Sequence, residues 1–245
     1  MAHEKIEIAT EDGTCDAHVF TPSGAGPHPG VLFYMDGIGV RPALFEMAER
    51  LATAGYYVLL PNLFYRAGGE YKAPDAATLF SDMELRAHWM KTYFATATPA
   101  NIMRDTSAFL AHLAERAPGK VGTTGYCLGG RMSLIAAGTF PDRIAAAASF
   151  HPAGLVTDAP DSAHLLAPKI RAEVYVGGAM EDTGFTDANR EALDRALAAA
   201  GVEHTVVKYP GKHGWVPRDT PVHDPVQAEQ HWTALLALFE RTLRA

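Results

Sequence analysis

The sequence predicts a single α/β domain spanning residues 1–245, with a mostly parallel central sheet, helices on both faces and an N-terminal antiparallel hairpin. Three observations predict it. Strand-like and helix-like segments alternate from residue 30 onward, the pattern of successive βα units. Gly30–Met35 (GVLFYM) and Tyr56–Leu60 (YYVLL) are nearly unbroken apolar runs, as expected of strands buried on both faces. The chain opens with two strand-like segments flanking Glu11-Asp12-Gly13, and Asp-Gly is a strong hairpin signal. No linker, repeat or low-complexity tract divides the chain.

Each element has a local reason. Lys5–Thr10 and Thr14–Phe20 form the arms of the hairpin, and Thr21–Pro29 is a Pro/Gly-rich connection. After the first buried strand, Pro42 suits the opening turn of a helix that runs to about Ala54 and ends at Gly55. Pro61 stops the second buried strand, and Asn62–Asp75 has loop character. Ala76–Ala95 and Pro99–Ala117 read as helices, Val121–Tyr126 as a strand, and Arg131–Ala137 as a helix ending near Gly138. Ile144–Phe150 and Arg171–Gly177 are strands. Asp187–Ala200 is an amphipathic helix closed by Gly201, with Asp187 expected to cap it. His204–Tyr209 is a strand ended by Pro210, and Pro225–Leu243 is the last helix.

Bulk properties narrow the function classes. The formal charge of −7 and the lack of any Lys/Arg cluster argue against nucleic acid as a partner. No apolar run approaches the roughly 20 residues that span a bilayer. The N-terminus shows neither a basic segment nor an apolar core of the secretory kind. The only cysteines, Cys15 and Cys127, are far apart, with no disulfide framework or metal-binding spacing. The expectation is a cytoplasmic protein with free thiols, no bound metal, no membrane contact, and a monomeric or weakly homo-oligomeric state.

The chemistry centres on Gly125-Tyr126-Cys127-Leu128-Gly129-Gly130, between a strand and a helix. A small-residue-rich strand-to-helix turn with a nucleophile at its apex is the elbow of an α/β-hydrolase, here with Cys in place of Ser. The following helix N-terminus favours a thiolate and an oxyanion. A nucleophile there needs a base and an orienting acid, in the chain order nucleophile, acid, histidine. Among eleven histidines, His213 stands out, in the loop Pro210-Gly211-Lys212-His213-Gly214-Trp215 after a strand. The acid belongs in the loop Gly178–Asp187, where Glu181 and Asp182 both fit by position and Asp182 sits mid-loop. The oxyanion site needs the N–H of Leu128 and a second N–H from Asp36-Gly37-Ile38-Gly39-Val40, for which Gly37 is the candidate. His151 follows a strand beyond the elbow and is a candidate lining residue, with Ile38 and Trp215. Tyr34, Phe64, Tyr65, Trp89 and Phe150 are further aromatic candidates for an apolar pocket.

Taken together, these segments resemble the dienelactone hydrolase (carboxymethylenebutenolidase) family. The matching pieces are GYCLGG, MDGIGV, Pro61-Asn62-Leu63 with Tyr65-Arg66, GGAMED and PGKHGW, in the family's order and over essentially the whole chain. The resemblance implies Cys127 as nucleophile, His213 as base and Asp182, rather than Glu181, as orienting acid. Leu128 and Gly37 fall on the family's oxyanion donors. It also implies a small-molecule lactone or ester substrate, a thioester acyl-enzyme, and no metal or organic cofactor. Three positions depart from the pattern. Asp36 stands where the family commonly has a Glu that modulates the resting thiol, and Asn62 replaces an Asp. Where the family places a substrate-binding arginine after the histidine, this chain has Pro217 and then Arg218. Arg86 and Arg104 lie in the region of a second such arginine. A thiol is itself a good leaving group, so the chemistry favours enol-lactones and activated esters over alkyl esters and amides.

Overall fold

The computed structural model describes residues 1–244 and contains one eight-stranded sheet. The strands are β1 (Ala2–Thr10), β2 (Gly13–Thr21), β3 (Gly30–Tyr34), β4 (Tyr57–Pro61), β5 (Val121–Tyr126), β6 (Ile144–Phe150), β7 (Glu173–Gly178) and β8 (His204–Lys208). Their spatial order is β1-β2-β4-β3-β5-β6-β7-β8. The hairpin β1–β2 and the β2–β4 pair are antiparallel, and every later pair is parallel. The predicted architecture is therefore the observed one.

The two apolar runs became β3 and β4, every residue of which is buried. That is the burial a parallel strand meets when helices cover both faces. The helices are α1 (Pro42–Thr53), α2 (Ala76–Ser81), α3 (Met83–Thr92), α4 (Pro99–Arg116), α5 (Leu128–Thr139), α6 (Asp187–Ala199) and α7 (Pro225–Leu243). In α1 the buried positions Leu44, Met47, Ala48 and Leu51 recur at helical spacing and form one stripe. Helix α1 meets α7 through the Arg50–Glu229 ion pair and α4 packs on α5; α1 and α4 both contact β4, and α5 and α7 both contact β5 and β6. One contiguous apolar core runs from Ile8 on the hairpin to Phe239 on α7.

Local details differ from expectation. The helix expected over Ala76–Ala95 is broken at Asp82, whose backbone is extended and whose carboxylate accepts the Glu84 and Leu85 N–H groups at 2.9 Å each. Asp competes with the helix for backbone donors, so it ends one helix and caps the next. Asp187 is not the cap of α6. Thr186 is, in a reciprocal box with Asn189, and Asp187 instead pairs with Lys208 and Arg190. Three short 3-10 turns occur: Tyr65–Ala67 in the stretch read as loop, Phe94–Thr96 at the expected end of a helix, and Ala163–Lys169 between two expected strands. Among the described residues, no helix is long and apolar enough to cross a membrane.

Candidate active site

The carboxyl ends of the parallel strands carry the singled-out residues in neighbouring loops. Asp36 follows β3, Cys127 follows β5, His151 follows β6, Asp182 follows β7 and His213 follows β8. Loops at this edge of an open parallel sheet form the crevice where ligands bind in such folds.

Cys127 sits between β5 and α5 with φ 53° and ψ −112°, a left-handed conformation rare for a residue with a side chain. The turn is possible because its glycines permit contacts no Cβ could survive. A Cβ on Gly125 would lie 2.1 Å from the Gly129 carbonyl oxygen. One on Gly129 would lie 2.1 Å from the Tyr34 carbonyl oxygen and 2.5 Å from that of Met35. The start of α5 is thereby pressed against the end of β3, beside the Asp36-Gly37 loop. Leu128, as the first residue of α5, has an N–H with no intrahelical acceptor. No acceptor among the described residues takes the Gly37 N–H.

His213 and Asp182 meet directly, with Nδ1 of the imidazole 2.6 Å from the carboxylate Oδ2. The Gly184 N–H donates to the other carboxylate oxygen at 2.8 Å and fixes its plane. Burial alone would disfavour the charge on His213. The Asp182 carboxylate and the Cys127 sulfur outweigh it and raise the imidazole to about 10. Burial opposes the charge on Asp182 as well, yet His213 and the loop N–H groups hold its carboxyl below the usual range. The imidazole thus lies between the Asp182 carboxylate and the Cys127 sulfur. Glu181 makes no such contact and its backbone is left-handed, with φ 54°.

Cys127 and His213 face a cavity of about 290 Å³. Cys127, His151, His213, Gly37 and Ile38 line its floor, and Leu79, Phe80, Trp89, Met90 and Phe94 from the α2–α3 region form an apolar wall. Arg86, on α3, is the lining cation, and it has no carboxylate within ion-pair distance among the described residues. Of this α2–α3 contribution only Trp89 and Arg86 are candidates from the sequence; Leu79, Phe80, Met90 and Phe94 carry no local signal that marks them as neighbours of Cys127. The Trp89 indole N–H donates to the Gly37 carbonyl at 2.9 Å and latches α3 to the loop after β3.

His151 is fully buried, with φ 36°, and its ring lies edge-on to those of His213 and Trp215 at 5.2 and 4.9 Å. Burial, with the neighbouring His213 and His231, holds it uncharged, well below the usual histidine range.

Several expectations need correction. Asp36 does not reach the thiol: its carboxylate is taken by Arg41 and by the N–H groups of Ile38 and Gly39. Arg218 points away from the cavity to pair with Glu46 on α1. Arg104 is bound to Asp12 at the hairpin turn. Trp215 is fully buried behind His151, stacked on Tyr209 at 5.0 Å, and does not line the cavity. Of the other aromatic candidates only Trp89 lines it; Tyr34, Phe64, Tyr65 and Phe150 pack in or against the core. Asn62 has a structural role, bridging Asp16 and the Phe64 N–H. Among the described residues no group of three His, Cys, Asp or Glu side chains could hold a metal ion.

The chain is similar to known proteins in sequence and in fold. A sequence model of the dienelactone hydrolase family matches residues 15–243. A Synechocystis sp. protein named "Putative carboxymethylenebutenolidase" is 26% identical over 98% of this chain and 96% of its own length. "Protein usf" of Aquifex pyrophilus is 30% identical over 98% of this chain and 99% of its own. A crystal structure described as "Putative Dienelactone Hydrolase" from Klebsiella pneumoniae superposes with a TM-score of 0.84 at 22% identity, covering 98% of each chain, a likeness of fold.

Proposed function

The chain belongs to the dienelactone hydrolase family, and from that premise we propose that it hydrolyses an enol-lactone or activated carboxylic ester through a Cys127–His213–Asp182 triad. The observation that carries the proposal is the 2.6 Å pairing of Asp182 with His213, whose imidazole lines the same cavity as a cysteine held at a strained strand-to-helix turn. In this reading the substrate carbonyl oxygen lies between the N–H groups of Leu128 and Gly37. The Cys127 sulfur attacks the carbonyl carbon as a thiolate, with its proton held on His213. The tetrahedral oxyanion is stabilised by the two amides, each worth roughly 3–4 kcal/mol in comparable sites. The enolate or aryloxide departs, taking the proton from His213, and leaves a thioester on Cys127. Water then attacks the thioester as His213 accepts its proton, and Cys127 leaves as the thiolate. Asp182 holds the imidazole tautomer and supports its charged form throughout.

The cavity wall bears on the substrate class. Its apolar side suits an aromatic or unsaturated acyl body, and Arg86 could meet a carboxylate on that body. A second reading, a carboxylesterase for esters with no free carboxylate, is favoured by Arg218 facing Glu46 rather than the cavity. Paired enol-lactones and aryl esters, with and without a carboxylate, separate the two by their kcat/KM. The nucleophile is tested by Cys127→Ala, which should lower turnover of an activated aryl ester by on the order of 10³-fold or more. Unchanged turnover by a folded Cys127→Ala protein would refute it. A cytoplasmic enzyme working as a monomer or weak homo-oligomer fits this reading, and light scattering across a concentration series tests the assembly state.

A further inference from the structure

Two cleft loops on opposite sides of β5 in the sheet order are tied together by one buried cation. Arg41, at the N-cap of α1, is only 4% exposed. Its guanidinium grips Asp36 through Nη1 at 2.7 Å and Nη2 at 2.9 Å. It grips Asp219 through Nε at 2.6 Å and Nη2 at 3.0 Å, and Nη1 also donates to the Gly39 carbonyl at 3.0 Å. All five donors of the fork are therefore used. Asp36 immediately precedes Gly37, and its Oδ1 accepts the Ile38 and Gly39 N–H groups at 3.0 and 3.2 Å, which folds the loop around it. Asp219 lies in the segment after His213, where the Thr220 hydroxyl closes the turn onto the Gly214 carbonyl at 2.7 Å. Gly37, Gly214 and Thr220 all line the cavity.

We propose that Arg41 is a positioning residue that fixes the Gly37 amide against the His213 loop, holding the oxyanion site in register with the base. The inference rests on the reading of Cys127, His213 and Gly37 given above. Fold stability does not call for this device, since buried ion pairs are often replaced by apolar side chains without loss. An oxyanion donor is different, because its value depends on being set in place before charge develops. The five donors of the planar fork hold both carboxylates bidentately and the Gly39 carbonyl besides, which the three donors of a lysine ammonium cannot do.

The test compares wild type with Arg41→Lys, Asp219→Asn and Asp219→Glu. Asp219 is at the partly exposed end of the bridge, so its variants are expected to fold even if Arg41→Lys does not. Two rates are read. The first is aryl-ester kcat and KM per titrated Cys127. The second is alkylation of Cys127 by iodoacetamide, which needs the thiolate and no oxyanion site; fully buried Cys15 does not compete for the reagent. Arg41→Lys and Asp219→Asn should lower kcat about tenfold or more, as small misplacements of catalytic groups do, with KM and the alkylation rate nearly unchanged. Asp219→Glu should restore most of the loss. Unchanged kcat per titrated site, with only a lowered melting temperature, would overturn the positioning role and leave Arg41 as a strut. Alkylation slowing in step with kcat would also overturn it, by showing that the bridge sets the thiol–imidazole pair instead. Full turnover by Cys127→Ala would remove the nucleophile reading itself, a failure distinct from both.

Discussion

His213 carries the most pH-sensitive bond in the cleft. Its folded value is raised to about 10, against about 6.5 in an unfolded chain. The stability it contributes is therefore fully present below about pH 6.5 and lost as pH rises toward 10. Asp182 is lowered, so its share is present above the unfolded carboxylate value and is lost as pH falls through the folded one. Urea unfolding of wild type and His213→Gln across pH should show the wild-type advantage largest from mildly acidic to near-neutral pH and shrinking toward pH 10. An advantage that grows with pH would contradict the assigned charge states. At this scale the sequence was informative where chemistry and chain order coincide. Cys127, Asp182 and His213 each stand in a loop following a strand, and the order of the three is itself a signal. It was uninformative for Asp36 and Arg218, because their partners, Arg41 with Asp219 and Glu46 respectively, are set by how loops fold back in space.

The elbow is an element whose function and stability use the same contact. Gly129 lets α5 start against the carbonyl oxygens of Tyr34 and Met35, and a Cβ there collides with backbone rather than with a movable side chain. Gly129→Ala should therefore cost more than the roughly 1–3 kcal/mol usual for overpacking. It should also push Leu128 away from the Gly37 loop, so that activity falls further than the folded fraction does. Chemical denaturation alongside kcat per folded molecule checks both, and a near-neutral Gly129→Ala would contradict the close approach. Strand and helix identities were legible because β3 and β4 are unbroken apolar runs, while α1 and α7 carry an apolar period opened by a proline. The break at Asp82 was less so, since an aspartate inside a helical pattern can face solvent or cap a new helix with no change in composition. That break orients α3, and with it Arg86, Trp89 and Met90, toward the cavity.

The whole molecule is organised by the sheet. The hairpin strands and the parallel strands share hydrogen bonds and one core, from Ile8 to Phe239, with no seam between them. Unfolding should therefore be one cooperative event, with far- and near-ultraviolet circular dichroism tracing the same urea transition. Two separated transitions would show that the chain is more than one unit. The same sheet gathers loops distant in sequence at one edge, which explains why the fold reading put Cys127, Asp182 and His213 in neighbouring loops but named only Arg86 and Trp89 of the α2–α3 wall. Periodicity reports which face of an element is buried, and it carries no information on which loop stands opposite which. Acyl transfer through Cys127 can be read directly by intact-protein and peptide mass spectrometry after acid quench of a slowly hydrolysed activated ester. One acyl adduct is expected, mapped to the peptide containing Cys127 and missing from Cys127→Ala; an adduct on another residue during turnover, or one that persists in Cys127→Ala, would contradict a Cys127 nucleophile.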